Sequence, residues 1–464
     1  MNVSEPFKKY AETVCAQIRW KKAHPAVTKE IENHLIDQKN AYLELGDSES
    51  IAEEKALLQM GDPVAVGAAL DSTHKPAPQK GMIALVLLLS VIGVFLQLQY
   101  FPYVSEIYPQ GVFTMRVLFA FAAGITAFLL FYFLDFSFFG KHPYCCTAFL
   151  LGIVLLTQLF GLGINGQKWL HLGNIALSPM MLSLLFPLVF SSNLYALRSQ
   201  GRRGYLKGCV LALFWCIVLS IFTHFGSVIL FLASANLLLL AAAYRNWFGK
   251  KTKPLFFLFV LLELTFVAFL VLSSPYRSAR IFYAFHPEAD AQGYGYVAST
   301  LREMLSHSVF FGKGTAFAKG NLFAALPSNS FPADYLLAVS TYRYGWLIFL
   351  LLIGLLAAFF VLGFRKCLKQ KSILGQMTAL SILSAFAVET IFYVLANLGF
   401  TLITSGALPF LSYGINAAFI HMALAGILLS VFRTGEVYQD GTTPTPHENK
   451  FIQWTDGKLI LSFK

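Results

Sequence analysis

Long apolar runs separated by short polar gaps fill the chain from about Gly81 to Phe432, whereas residues 1–75 and 433–464 are rich in polar positions. Ten runs stand out: Gly81–Gln99, Val112–Asp135, Pro143–Asn165, Ala176–Leu197, Tyr205–Phe222, Phe225–Tyr244, Pro254–Ser273, Asp334–Phe364, Ile373–Asn397 and Gly406–Phe432. Each is about as long as, or longer than, the about 20 residues that a helix needs to cross hydrocarbon. The pattern predicts an all-α polytopic membrane protein with about ten transmembrane helices over residues 81–432. The narrowest gap is Thr223-His224.

The head has a different periodicity. Ile31, Leu35, Ile36 and Leu43 make one helical stripe, Gly46 can close that helix, and Ser50-Ile51-Ala52-Glu53 reads as a capping box opening the next. Gly61-Asp62-Pro63 ends one helix and starts another. Residues 1–75 thus predict a cytosolic bundle of three or four short helices, followed by a linker over 76–80 that holds Pro76 and Pro78. Residues 433–464 read as a mobile cytoplasmic tail, because Gly441–Pro446 is low in residues that promote order.

Charge sets the orientation. One gap carries Arg198, Arg202, Arg203 and Lys207, a later one Arg245, Lys250, Lys251 and Lys253, and another Arg365, Lys366, Lys369 and Lys371. The alternate gaps are nearly bare: Gln99–Gly111 has no Lys or Arg, and Asn165–Ile175 has only Lys168. Basic gaps stay cytoplasmic, so both termini are expected on that side. The net charge of +11 is spread over these loop ends, which argues against a nucleic-acid partner. The chain is 56% hydrophobic and 13% charged, outside the range of a soluble domain. Its six cysteines are scattered, with no disulfide or metal spacing, and Cys145-Cys146 reads as apolar packing rather than an acylation site. The first apolar run begins only near residue 81, so no cleavable signal is expected.

Chemistry points to the one long gap, residues 274–333, on the outer side. Structureless loops of that length are uncommon unless functional. It opens with Arg277 and Arg280, continues through Gly293-Tyr294-Gly295-Tyr296 and a short helix to Leu305, and reaches a turn at Phe311-Gly312-Lys313-Gly314. Asp334 follows at the mouth of the next helix. A carboxylate there reads either as an N-cap or as a base that takes a proton from a hydroxyl, with the neighbouring cations holding a phosphorylated leaving group. Within or at the ends of apolar runs lie Arg116, His224, Glu263, Glu389 and His421. Ionisable groups at such depth face a bundle interior or a wet cavity, so these five are either a polar path or groups hydrogen-bonded between helices. Arg116 has a further option, to snorkel to the headgroups. Most of the 45 Phe, 20 Tyr and 6 Trp are expected on lipid-facing or packing surfaces, with Trp169, beside Lys168 in an outer gap, as the exception.

Four fragments resemble one family in order. Gly166-Gln167-Lys168-Trp169-Leu170-His171-Leu172-Gly173 resembles a Gly-x-x-Arg-Trp-Ile-x-Leu-Gly segment. Gly295-Tyr296 with Phe311–Gly314 resembles a large outer loop, and Leu326-Pro327 followed by Asp334-Tyr335-Leu336-Leu337-Ala338 resembles Leu-Pro-Glu-x-x-Thr-Asp-Phe-Ile-Phe-Ala, with two extra residues here. Gly406-Ala407-Leu408-Pro409-Phe410-Leu411-Ser412-Tyr413-Gly414 resembles Gly-x-x-Leu-Pro-Phe-x-Ser-Tyr-Gly-Gly. Together they are similar to the SEDS family of bacterial cell-wall proteins, the FtsW, RodA and SpoVE group. The head, with Glu30–Leu35 and Met60–Pro63, resembles the prefix domain ahead of some bacterial permeases and implies docking or regulation.

The SEDS resemblance implies a peptidoglycan glycosyltransferase in the cytoplasmic membrane that polymerises lipid II with a class B penicillin-binding protein, in division, cell shape or sporulation. It implies Asp334 as the essential carboxylate, activating a sugar 4-hydroxyl, and a divalent cation (Mg or Mn) as an aid. By their place in matched segments and loop, Lys168, Trp169, Arg277, Arg280, Lys313, Ser412 and Tyr413 are expected at the substrate. The pattern also departs from the family. Met181 and Leu184 stand where it has Glu and Lys, His224 where it has an acid, Tyr342-Arg343-Tyr344 where it has acids before a Gly, and Glu389 where it usually has Gln. The competing functions are a catalytically weak scaffold or regulator of cell-wall synthesis and a flippase for the lipid-linked precursor. The second would show inverted repeats with broken helices, and no clear repeat is visible.

Overall fold

The computed structural model describes residues 3–74, 78–99, 109–164, 167–173, 175–223, 225–316, 334–401, 406–412, 414–434, 452–455 and 458–461. The chain divides into one unit built on Met1–Gln79 and another built on Lys80–Val431.

The first unit is four helices, α1 Glu5–Gln17, α2 His24–Glu44, α3 Glu49–Met60 and α4 Pro63–His74. Phe7, Val14, Ile18, Val27, Leu35 and Ala56 close its core. Two details differ from the sequence reading. The α3 helix starts at Glu49 with Ser48 at its N-cap, so Ser50 lies inside the first turn and no capping box forms. Leu43 stays exposed, because eight residues of helix rotate it about 80° away from Leu35.

The second unit is a helical bundle. Its first helices are α5 Lys80–Leu98, α6 Gln110–Phe133, α7 Ser137–Lys141 and α8 Pro143–Phe160, followed by α9 Pro179–Leu182, α10 Leu185–Leu197, α11 Gly201–Phe222, α12 Phe225–Tyr244 and α13 Lys253–Leu272. Next come α14 Pro275–Phe285 and α15 Tyr296–Ser306, and then α16 Leu336–Tyr344, α17 Trp346–Lys369, α18 Ile373–Asn397 and α19 Ile415–Thr434. The described residues hold nine segments long and apolar enough to span a bilayer, one of which, Pro179–Phe222, has 44 residues. At about 1.5 Å per residue that is about 66 Å, twice the hydrocarbon thickness. It folds back on itself. A 3₁₀ turn at Arg198–Gln200 runs into Gly201 at φ +56°, and the arms pack together with Gly208 against Leu194. This segment makes two crossings, so the bundle accommodates ten. The α12, α18 and α19 helices are largely buried, whereas α13 and α17 turn most of their apolar surface outward, the arrangement of a protein dissolved in lipid.

Two apolar runs end differently from their sequence boundaries. The run read as Pro143–Asn165 is helical only to Phe160. From Leu162 the chain forms a small antiparallel sheet, β1 Leu162–Ile164, β2 Gln167–Leu172 and β3 Ile175–Leu177, with Leu162 opposite Trp169 and Leu170 opposite Leu177. Gly161 and Gly163 weaken the helix there, and Asn165-Gly166 is a dipeptide that favours tight hairpins. The run read as Asp334–Phe364 is split at Gly345, whose φ of +92° ends α16 before α17 begins. The break is filled by the segment that follows α15. Gly314 and Gly312 donate to the Tyr342 and Tyr344 carbonyls (2.8 and 3.1 Å), and Trp346 and Leu347 donate to Val309 and Phe310 (3.0 and 3.1 Å). A Cβ at Gly345 would stand 2.5 Å from the Phe310 carbonyl oxygen. The segment Val309–Gly314 is therefore stitched to both sides of the α16–α17 joint. In the tail, Ile452–Thr455 pairs with Lys458–Leu461 as an antiparallel hairpin, where the sequence suggested only a mobile extension. The Gly441–Pro446 stretch lies outside the described residues.

Candidate functional site

The α18 helix carries a polar stripe at a spacing of four: Glu389, Tyr393 and Asn397. In a helix such residues share one face. Each of the three holds backbone from another segment. The Asn397 side chain is fully buried and accepts from the Ala338 N–H (3.0 Å) while donating to the carbonyls of Asp334 and Tyr393 (both 3.0 Å). The Tyr393 hydroxyl accepts from the Leu336 N–H (3.1 Å) and meets the Ser412 side chain. Glu389 Oε1 accepts from the Ala407 N–H (3.3 Å), and its Oε2 is 2.9 Å from His421 Nε2. The free N–H groups of Leu336 and Ala338 at the start of α16 are thus satisfied from α18 rather than by a local cap.

This settles the form of the Asp334 position. The N-cap of α16 is Tyr335, with no side-chain cap hydrogen bond, so Asp334 does not spend its carboxylate on the helix. Its backbone is fixed by Asn397, and its side chain is only partly exposed. Among the described residues no group hydrogen-bonds to the carboxylate and no Lys, Arg or His pairs with it. Burial without such compensation raises its pKa from 3.8 to about 7. A carboxylate poised near neutral pH is suited to accept a proton.

The other residues singled out from sequence have contacts of their own. Arg280 donates through Nε to the Thr401 carbonyl (3.1 Å), just beyond the end of α18, and through Nη1 to the Tyr276 hydroxyl (3.4 Å). Arg277 donates to the Leu270 carbonyl (2.7 Å) at the end of α13 and lies over the Phe225 ring. Lys313 is exposed in the stitched segment. Lys168 reaches back to the Gln158 carbonyl, and Trp169 sits on β2 with its carbonyl 3.1 Å from His171 Nδ1. Ser412 is buried, and its hydroxyl accepts from the Leu408 N–H (2.6 Å), so it shapes the segment before α19. Tyr413 and His224 lie outside the described residues. Arg116 is on the exposed side of α6. Glu263 is buried and accepts from Asn236 Nδ2 (2.6 Å). Glu389 and His421, considered separately in the sequence, form one buried pair. Met181 and Leu184 are buried apolar side chains.

Sequence reasoning did not single out Tyr393 and Asn397. The signal was the four-residue spacing with Glu389, a polar line along a helix otherwise suited to lipid or core.

Comparison with known proteins agrees with this architecture. The family model for cell cycle proteins of the FtsW, RodA and SpoVE type matches residues 79–436. The chain is 26% identical over 303 residues to "Probable peptidoglycan glycosyltransferase FtsW" of Idiomarina loihiensis, covering 61% of this chain and 69% of that protein. It is 24% identical over 378 residues to stage V sporulation protein E of Bacillus subtilis, covering 78% of this chain and 99% of that one. Its fold is similar to a chain of a peptidoglycan synthase complex described for the structural coordination of polymerization and crosslinking, with a TM-score of 0.61 at 20% identity over 78% of this chain and 99% of that one. It is also similar to the rod shape determining protein RodA of Thermus thermophilus, with a TM-score of 0.54 at 19% identity and the same coverage. A match across most of the chain, on a bundle of multiple membrane spans, establishes that this protein belongs to the FtsW/RodA/SpoVE family.

Proposed function

We propose that the protein is a peptidoglycan glycosyltransferase that polymerises lipid II at the outer face of the bacterial cytoplasmic membrane, with Asp334 as the base. The observation that carries this reading is the Asp334 carboxylate: partly exposed, unpaired among the described residues, raised to about 7, and set on a backbone that Asn397 holds in place. The acceptor sugar hydroxyl gives its proton to this carboxylate as its oxygen attacks the anomeric carbon of the donor. The bond from that carbon to the pyrophosphate oxygen breaks, and the electron pair leaves with the undecaprenyl pyrophosphate. Holding the backbone of this residue in advance lowers the cost of reaching that geometry. Arg280 and Lys313 are the cations that the outer loop offers to the departing pyrophosphate.

Basic gaps at Arg198–Lys207, Arg245–Lys253 and Arg365–Lys371 support cytoplasmic termini and an outer position for Asp334. A class B penicillin-binding protein is the partner this reading assigns, supported by the likeness to a complex that couples polymerization to crosslinking. Among the described residues no three His, Cys, Asp or Glu side chains converge. A divalent cation would therefore take most of its oxygen ligands from the substrate pyrophosphate.

The test is polymerisation of lipid II by the purified protein, alone and with a candidate transpeptidase. Asp334→Asn should lower the rate by about 10²-fold or more. Equal product from both forms removes Asp334 as the base. One observation favours a second reading, a non-catalytic scaffold: Met181 and Leu184 bury hydrocarbon where the family resemblance expects charges. Folded, partnered protein that yields no product would select it.

A further inference from the structure

The Glu389–His421 pair lies about 12 Å along α18 from Asn397, two turns of helix away from the reacting end. Glu389 is 3% exposed and His421 1%. Ionisable groups this deep are costly unless every polar atom has a partner. Here both carboxylate oxygens are used, one by His421 and one by the Ala407 N–H. The imidazole is boxed by the Phe386 and Phe410 rings, with centroids at 5.5 and 6.5 Å. A cavity of about 10 Å³ beside Glu389, lined among others by Leu184, Ser227 and Gly406, is no larger than one water needs. With both oxygens engaged, the buried carboxylate is held in place.

Ala407 and Leu408 belong to the non-helical segment that leads into α19. Buried backbone of that kind must find partners outside itself. The Ala407 N–H goes to Glu389 and the Leu408 N–H to Ser412. Ser412 in turn meets Tyr393, whose hydroxyl holds Leu336. The stripe on α18 is thus one continuous support that starts at His421 and ends at the Asp334 carbonyl.

We propose that Glu389, locked by His421, is a positioning residue for Asp334: it fixes residues 406–412 against α18 and through Ser412 and Tyr393 sets the first turn of α16. This rests on Asp334 acting as the base. Glu389 touches no substrate. Its effect is on the fraction of molecules with the carboxylate in line, so it acts on kcat rather than on KM for lipid II.

The experiment compares wild type with Glu389→Gln, Glu389→Leu, the double variant Glu389→Leu/His421→Leu, and Asp334→Asn. Glu389→Leu leaves a polar imidazole without its partner and is the variant most at risk of misfolding. The double variant replaces the whole pair by hydrocarbon, which bundles tolerate. Two readouts are taken: kcat and KM for lipid II polymerisation, and amide hydrogen exchange over residues 406–412 and 336–338. Gln keeps an oxygen for the Ala407 N–H and an amide for His421, so Glu389→Gln should stay within about threefold of wild type in kcat, with unchanged exchange. The double variant should lose about tenfold or more in kcat with KM within about threefold, and exchange should quicken in both segments. Wild-type kcat in the double variant, or quickened exchange at 406–412 with none at 336–338, overturns the proposal. So does a loss in Glu389→Gln as large as in the double variant, since the charge itself would then matter. If Asp334→Asn is as active as wild type, the assignment of the base fails instead, and the two failures are told apart.

Discussion

Protonation of Asp334 is the perturbation that the structure defines best. Burial raises its pKa from 3.8 to about 7, and no described residue offers a compensating charge or hydrogen bond. A base must be ionised to act. With a pKa of about 7, roughly 10% of molecules carry the active carboxylate at pH 6 and roughly 90% at pH 8. The kcat/KM of lipid II polymerisation should therefore rise with pH, gaining about ninefold between those two values, and level off above pH 8. The assay is initial-rate polymerisation in detergent or nanodiscs across pH 5.5–9, with Asp334→Asn as the control, whose residual rate should lack this limb. A profile flat from pH 5.5 to 8, or an ascending limb centred near pH 4, would refute the reasoning, because the carboxylate would then behave as an ordinary solvated acid. Stability should move the other way. The folded state holds the proton more tightly than the unfolded chain, so the raised pKa favours folding at low pH. That contribution is present below about pH 4 and is lost as the pH rises through about 7.

Three further outcomes follow from the same geometry. Asn397→Ala orphans the buried Ala338 N–H, whereas the Asp334 carbonyl, next to a partly exposed side chain, can turn to water. The cost should be about 1–3 kcal/mol in unfolding free energy, read by thermal melting in detergent, with a loss in kcat larger than any change in KM. Gly345→Ala meets both a φ of +92° and the Phe310 carbonyl at 2.5 Å, so it should destabilise by more than about 1 kcal/mol and quicken amide exchange in 309–314. Glu263→Gln keeps a group that can pair with Asn236, and its melting temperature should stay near wild type, whereas Glu263→Lys should fail to accumulate in the membrane.

The apolar runs were legible because a bilayer imposes a length and the chain must satisfy its own backbone within it. Alternating basic and bare gaps suggested an orientation by a separate rule, the retention of Lys and Arg on the cytoplasmic side. The ends of runs were less legible, since hydropathy is blind to backbone direction. Leu162 and Ile164 are as apolar in a strand as in a helix, and Tyr344-Gly345-Trp346 gives no hydropathy break where the chain turns. Arg198–Gly201 worked in the opposite sense: two arms that the sequence separates clearly are joined by so tight a turn that they form one continuous helical segment. In the head, Ser48 opens α3 although Ser50 has the better capping pattern, because the two compete within one turn. At the candidate site, Asp334 could be singled out from its place beside the outer loop. Its fastening could not be, because Asn397 and Asp334 lie 63 positions apart and meet only in the folded bundle. Glu389 and His421 were each conspicuous as charges in hydrocarbon, but that they answer one another is a fact of packing.

The stitch between Val309–Gly314 and the α16–α17 joint carries a consequence for how such a chain can diversify. Every hydrogen bond there has a fixed partner on both sides of Gly345, so a single residue gained or lost within 309–314 would slide the whole seam out of register. A change of length that leaves the joint intact must therefore fall outside residues 309–314.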